Sequence, residues 1–233
     1  MRNFSYADVE VEVHEGAFYP TETSKIIIDC LRNKSGYASK ETLDLGCGSG
    51  VISTTLARLG IIKKFSASDI SPQATKNAEA NAKKFGLEAE IRTGSLYEPW
   101  EGRTFDLIIC DVSGISESLA RLSSWYSNGV PCVSGRDGTA LVMKIIRDTP
   151  PHLNPSGTLV IPILTLSDHR KLVSEMEKTF KEVEMISSKQ FYLPKEMNAH
   201  ASLIDELNRE GCIDVTSKFG LYLWETRLYE GRL

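Results

Sequence analysis

Leu43-Asp-Leu-Gly-Cys-Gly-Ser-Gly50 is the segment from which the rest of the chain is read. A short apolar run ends in glycines at 46, 48 and 50, and residues 51–59 (VISTTLARL) then carry helical spacing that Gly60 stops. Glycine at such a turn lets the backbone reverse sharply and approach a ligand with no Cβ in the way. Strand, glycine turn and helix together form the first unit of an α/β protein, whose ligand lies at the carboxyl edge of a mainly parallel sheet.

Outward from this unit the pattern repeats. Residues 64–68 read as a second strand. Ser71-Pro72 opens a helix with a hydroxyl N-cap and proline in the first turn, running to Gly86. Residues 89–92 and 105–110 are the next strands, the latter (FDLIIC) apolar enough to be covered on both faces. A helix over 139–148 is ended by Pro150-Pro151, 158–163 is strand-like and 168–180 helix-like. Residues 183–192 and 221–229 are two further strands. Between them, 195–218 has helical spacing at Met197, Ala201, Ile204 and Leu207, with Gly211 as a stop. The expectation is one domain over 1–233, with residues 1–40 before the first strand and 194–218 as a helical insert and candidate lid.

The chemistry concentrates at the glycine turn. Asp69 lies nineteen residues beyond Gly50 at the end of the second strand, placed to accept hydrogen bonds from two ribose hydroxyls. The spacing is Gly-x-Gly-x-Gly, without the geometry that cradles a pyrophosphate, and Asp44 just before it suits a cationic amino group. S-adenosylmethionine (SAM) fits this set, with S-adenosylhomocysteine as product; a dinucleotide or a purely structural turn are the alternatives. Gly94-Ser95-Leu96, after the third strand, falls at the adenine edge, and Asp111 ends the fourth. Cofactor-binding candidates are therefore Thr21, Thr23, Asp44, Gly46, Cys47, Gly48, Gly50, Asp69, Ile70, Ser95, Leu96 and Asp111; Asp111 is also the catalytic candidate.

Bulk properties narrow the partners. With 27 Lys and Arg against 31 Asp and Glu, the net charge of -4 argues against a general nucleic-acid or membrane-surface binder. Cys30, Cys47, Cys110, Cys132 and Cys212 form no Cys-x-x-Cys pair, which favours reduced thiols over zinc or disulfides. The N-terminus lacks a signal-peptide pattern and no apolar run is long enough to span a bilayer, so a cytoplasmic location is expected. Oligomeric state is left open.

The chain resembles the HemK-like release-factor glutamine methyltransferases, a branch of the class I SAM-dependent methyltransferases. The resemblance rests on Asp44 to Gly50, on Asp69, and on Gly16-Ala-Phe-Tyr-Pro-Thr-Glu-Thr23, which is similar to a Pro/Thr-rich segment that closes over the donor. There Thr21 and Thr23 would be the contacting hydroxyls. Gly94-Ser-Leu-Tyr-Glu-Pro99, Gly135-Arg-Asp-Gly138 and Leu153-Asn-Pro-Ser-Gly157 are further landmarks. The resemblance implies a Rossmann-like fold with a seven-stranded sheet, helices on both faces and an antiparallel C-terminal strand. It breaks at the catalytic motif. The family's Asn-Pro-Pro-Tyr holds an acceptor amide by the Asn oxygen and a proline carbonyl, under an aromatic ring; here Asp111-Val-Ser-Gly114 stands in its place.

A carboxylate beside a sulfonium is expected to stay ionised, which points to an N or O nucleophile of a small molecule or peptide. RNA, DNA or protein-glutamine methylation, and SAM binding without catalysis, are the alternatives. His14, His152, His169 and His200 read as surface or capping residues, with His14 and His200 the two worth testing. Trp100 and Trp224 read as packing, Cys110 as strand filler, and Trp125-Tyr126 as a candidate acceptor-pocket wall.

Overall fold

The computed structural model describes residues 2–15, 17–34, 37, 40–112, 114–125 and 134–233; the expectations placed on Gly16, Ser113, Tyr126 and Cys132 lie outside these described residues. The N-terminal segment forms a hairpin, β1 (Arg2–Tyr6) against β2 (Val9–Val13). Strict alternation is the cause: Val9, Val11 and Val13 are buried while Glu10 faces solvent. Composition shows this stretch only as acidic; its period of two makes it a strand. Helix α1 (Glu22–Arg32) follows, with the Thr21 hydroxyl accepting from the Thr23 N–H at 3.2 Å.

The chain then alternates β3 (Thr42–Leu45), α2 (Val51–Arg58), β4 (Lys64–Asp69), α3 (Pro72–Lys84), β5 (Glu88–Thr93) and β6 (Phe105–Cys110). A short α4 (Glu117–Ala120), α5 (Ala140–Asp148), β7 (Leu153–Leu164), α6 (His169–Thr179) and β8 (Glu182–Tyr192) come next. The insert supplies α7 (Lys195–Asn198), α8 (Ala201–Arg209) and β9 (Thr216–Lys218) before the last strand, β10 (Leu221–Arg232).

The large sheet runs β5-β4-β3-β6-β7-β10-β8, with β9 added alongside β10. Strands β3 to β7 are mutually parallel and β10 is antiparallel to both neighbours, β7 and β8. This is the mainly parallel α/β sheet with an antiparallel C-terminal strand that the sequence implied. The seven strands of this path gain an eighth in the three-residue β9, whose exposed Thr216–Lys218 carries no apolar signal.

Side chains of β6 sort by parity. Leu107 and Ile109 face α1, α2 and α3, with Ile27, Leu56 and Ala78. Ile108 and Cys110 face α5 and α6, with Ile145, Ile146 and Leu172. Each such fully buried Ile or Leu contributes about 1.5–3 kcal/mol. A third apolar cluster joins the insert to the carboxyl end of β7 and the amino end of β10: Met197, Ile204 and Leu207 pack with Leu119, Leu164 and Trp224. Among the described residues no helix is long and apolar enough to cross a membrane.

Candidate active site

Strand β3 delivers Asp44 and then the glycine turn. Asp44 is 1% exposed, and its Oδ2 accepts from the Ser53 N–H at 3.2 Å, so it caps α2 where the N-cap, Gly50, has no side chain to do so. Burial still dominates its titration. The pKa is pushed up to about 6, the Ser53 bonds pulling down and the charge of Asp69 pushing up.

Gly46, Gly48 and Gly50 have φ of 72°, 54° and 72°. A Cβ at Gly46 would meet Val112 Cγ2 at 2.1 Å, so the turn lies directly over the residue after Asp111. Gly48 instead opens into free space. The Gly48 N–H donates to Asp69 Oδ2 at 2.9 Å and the Ser71 N–H donates to Oδ1 at 2.8 Å. A carboxylate has about four acceptor positions, so roughly two remain for a diol. The buried Cys47 N–H donates to the Ser68 carbonyl at 2.9 Å, holding the turn against β4.

Beside Asp69, Ile70 is 59% exposed, an apolar surface without cover. The Gly94 N–H donates to the Asp69 carbonyl at 3.0 Å, and Leu96 adopts a left-handed φ of 47°. Asp44, the glycine turn, Asp69, Ile70, Ser95 and Leu96 therefore converge on the carboxyl edge of β3, β4 and β5. This edge fits SAM: backbone with no Cβ at Gly48, an acid with spare lone pairs for the ribose, an exposed apolar face for the adenine, and a buried acid with no cation at hand.

Asp111 follows β6. The Ser24 hydroxyl, 1% exposed on α1, donates to Asp111 Oδ2 at 2.5 Å. Burial pushes the Asp111 pKa up to about 7; the Ser24 bond lowers it and the charge of Asp44 raises it. Burial thus opposes the ionisation expected of this carboxylate, while the positive sulfonium of a bound donor would favour it. Ser24 itself is a residue that sequence reasoning missed, since nothing local links it to a partner 87 positions away.

The Gly135-Arg-Asp-Gly138 landmark clasps the segment after Asp111. The Glu117 N–H donates to the Gly135 carbonyl at 3.1 Å, and the Gly135 N–H donates to Glu117 Oε1 at 2.8 Å. A Cβ on Gly114 would meet the Gly138 carbonyl oxygen at 2.0 Å. No ring can project from position 114, where the family motif has tyrosine.

Rings come from elsewhere. Thr21 and Thr23 line a cavity of about 160 Å³ whose walls include Phe18, Trp125, Phe191, Tyr192 and Trp224. The Thr23 hydroxyl lies 3.3 Å from Thr226 Oγ1. The structure thus brings both threonines together with aromatic residues of β8, β10 and the segment after α4, and Ser24, their neighbour, with Asp111. Trp224 is a cavity wall as well as packing. Trp100 is packing: its Nε1 donates to Ser68 Oγ at 2.9 Å, and its ring meets Phe105 edge-on.

The histidines stay outside the site. His14 pairs with Glu12 at 3.7 Å and His200 precedes α8. His152 stacks on Tyr97 at 4.5 Å, and buried His169 has its pKa lowered by burial.

This strand order, with a glycine turn after β3 and acids ending β4 and following β6, is the fold of the class I methyltransferases, and residues 10–111 match the family described as Methyltransferase small domain. The methyl donor of the class is SAM. Within it, the chain is related to the HemK-like release-factor glutamine methyltransferases. It is 26% identical over 177 residues to a candidate protein N5-glutamine methyltransferase of Methanocaldococcus jannaschii, covering 76% of this chain and 87% of that one. It is 32% identical over 128 residues to the release factor glutamine methyltransferase of Koribacter versatilis, covering 53% of this chain and 46% of that one. The chain therefore spans less than half the length of the Koribacter enzyme. The 16S rRNA N2 G1207 methyltransferase of T. thermophilus, solved with AdoMet and guanosine, shares the fold, with a TM-score of 0.61 and 14% identity over 99% of this chain and 50% of that one.

These relatives overturn the small-molecule half of the expected acceptor: they are named for protein glutamines, which the peptide half fits in part and the alternative of protein-glutamine methylation fits better. The average charge does not exclude nucleic acid either, because a mean value says nothing about local surface.

Proposed function

We propose that this chain transfers a methyl group from SAM to a side-chain amide nitrogen of a protein, as an N5-glutamine methyltransferase does. The observation that carries the reading is how Asp111 is presented. One carboxylate oxygen is held by Ser24, and Oδ1 has no partner among the described residues, one residue before the Val112 side chain that lies against the glycine turn. A carboxylate and an amide both offer an oxygen to an N–H donor. Asp111 in place of asparagine therefore keeps the acceptor-holding chemistry, and the motif's second acceptor is a main-chain carbonyl that valine supplies as proline does.

Asp44, the glycine turn, Asp69, Ile70, Ser95 and Leu96 would hold SAM, which supplies an electrophilic methyl on a cationic sulfonium. Asp111 Oδ1 accepts one amide N–H and fixes the nitrogen. The nitrogen gains the methyl and loses one proton, which passes to Asp111 or to water. Positioning of this kind supplies most of the rate that an in-line transfer needs.

The test incubates the chain with labelled SAM and purified release factors, ribosomal proteins or transfer RNA, and locates the label by peptide mass spectrometry. Label on a glutamine amide, lost about 100-fold or more in Asp111→Ala and largely kept in Asp111→Asn, is the expected result. Label confined to RNA sinks the reading. So does tight SAM binding, abolished by Asp69→Ala, with no methylated product of any kind.

A further inference from the structure

The cavity that Thr21 and Thr23 line has a chemistry of its own. Phe18, Trp125, Phe191, Tyr192 and Trp224 arrive from four separate segments to wall one space of about 160 Å³. The Phe191 and Trp224 ring centroids are 5.1 Å apart at 32°, and those of Trp125 and Trp224 are 5.5 Å apart at 55°. A cavity of about 150 Å³ lined by apolar side chains holds a benzene ring. The size therefore matches one six-membered ring, and the tilted walls offer both faces and edges to it.

Charge narrows the occupant. Glu22 is the ionic side chain in the wall, and it is already neutralised by Lys25 at 2.6 Å and Lys189 at 3.4 Å. Among the described residues the wall thus gives a buried cation no free carboxylate, and a nucleotide no free cation for its phosphate. Position ties the cavity to the reaction. Thr23 lines it and precedes Ser24, which holds Asp111; Ile115 lines it four residues after Asp111.

We propose that this cavity seats a neutral aromatic side chain of the protein acceptor, close to the residue that is methylated. The proposal rests on the protein-acceptor reading above. It also answers the loss of the motif ring: position 114 is closed to any side chain by the Gly138 carbonyl, so aromatic recognition has moved to the sheet edge.

The test needs no turnover, so its failure is distinguishable from failure of the methylation reading. The full chain is saturated with S-adenosylhomocysteine, which blocks the donor site, and titrated with N-acetyl-phenylalaninamide, N-acetyl-leucinamide and adenosine. Binding is read by tryptophan fluorescence and ligand-observed NMR. The phenylalanine probe is expected to saturate and to bind about tenfold more tightly than the leucine probe, the upper end of what ring pairs add beyond burial. Trp125→Leu should abolish that preference with an unchanged melting temperature, which keeps the test informative where the deeper Trp224→Ala fails to fold. Equal binding of both amides, no saturable binding, or no effect of Trp125→Leu overturns the proposal. Preferential binding of adenosine overturns it in favour of a nucleobase.

Discussion

At the scale of single residues, Asp111 is under tension that the fold tolerates for the sake of the site. Its pKa is held at about 7, against an ordinary 3.8, chiefly by burial. The folded chain therefore binds this proton more tightly than the unfolded chain does. That contribution is fully present below pH 3.8 and is lost as pH rises through 7. Asp111→Asn removes the titration while keeping the shape. The variant is expected to melt above the parent at pH 8, and its advantage should be larger there than at pH 4.5 by roughly 5 °C. Thermal melts across this range check it; a gap that is constant, or that shrinks as pH rises, would mean the carboxyl is not desolvated. Ser24→Ala should widen the gap, because the hydroxyl bond that lowers the Asp111 pKa is gone.

At the scale of elements, the donor edge depends on a tie that joins three of them. Asn81 Nδ2 of α3 donates to the Glu12 carbonyl of β2 at 2.8 Å and to the Ser49 carbonyl of the glycine turn at 2.9 Å. Its Oδ1 accepts from the Glu12 N–H at 3.1 Å. Asn81→Ala leaves buried main-chain groups unpaired and should cost about 2–3 kcal/mol in denaturant unfolding. It should also weaken donor binding several-fold by calorimetry, since Ser49 sits inside the turn; unchanged affinity would make the hairpin a mere cover. None of this tie was legible in the sequence, because a hydrogen bond across 69 positions leaves no local pattern. What was legible were short-range features. The apolar run of β6, the Ser71 cap, the stop at Gly211 and the glycine turn each follow from residues within a few positions of one another. The Gly114–Gly138 contact was half visible: both glycines were noted, but that a Cβ at 114 would come within 2.0 Å of the Gly138 carbonyl oxygen is a tertiary fact. Gly114→Ala should accordingly destabilise the chain by about 1–3 kcal/mol or more on overpacking grounds.

At the scale of the whole molecule, two acids, buried Asp44 on β3 and half-buried Asp111 just after the adjacent β6, lie at the edge proposed to take a cationic donor, and this makes donor affinity depend on pH. With pKa values of about 6 for Asp44 and about 7 for Asp111, each must lose its proton before it attracts a cation. Affinity for SAM should therefore fall as pH drops through 7 and again through 6, by up to about tenfold per unit for each group engaged. S-adenosylhomocysteine keeps the amino group that Asp44 serves but lacks the sulfonium. Its decline should begin only near pH 6, so the two ligands separate between pH 6 and pH 8. Calorimetric titrations of both ligands at pH 5, 6, 7 and 8, in buffers of different ionisation enthalpy, read affinity and proton release together. Parallel curves for the two would place Asp111 away from the reacting methyl and remove it from the chemistry, leaving Asp44 as the acid the donor feels. Divergent curves that become parallel in Asp111→Asn would put its carboxylate beside the sulfonium, where the acceptor nitrogen must also stand.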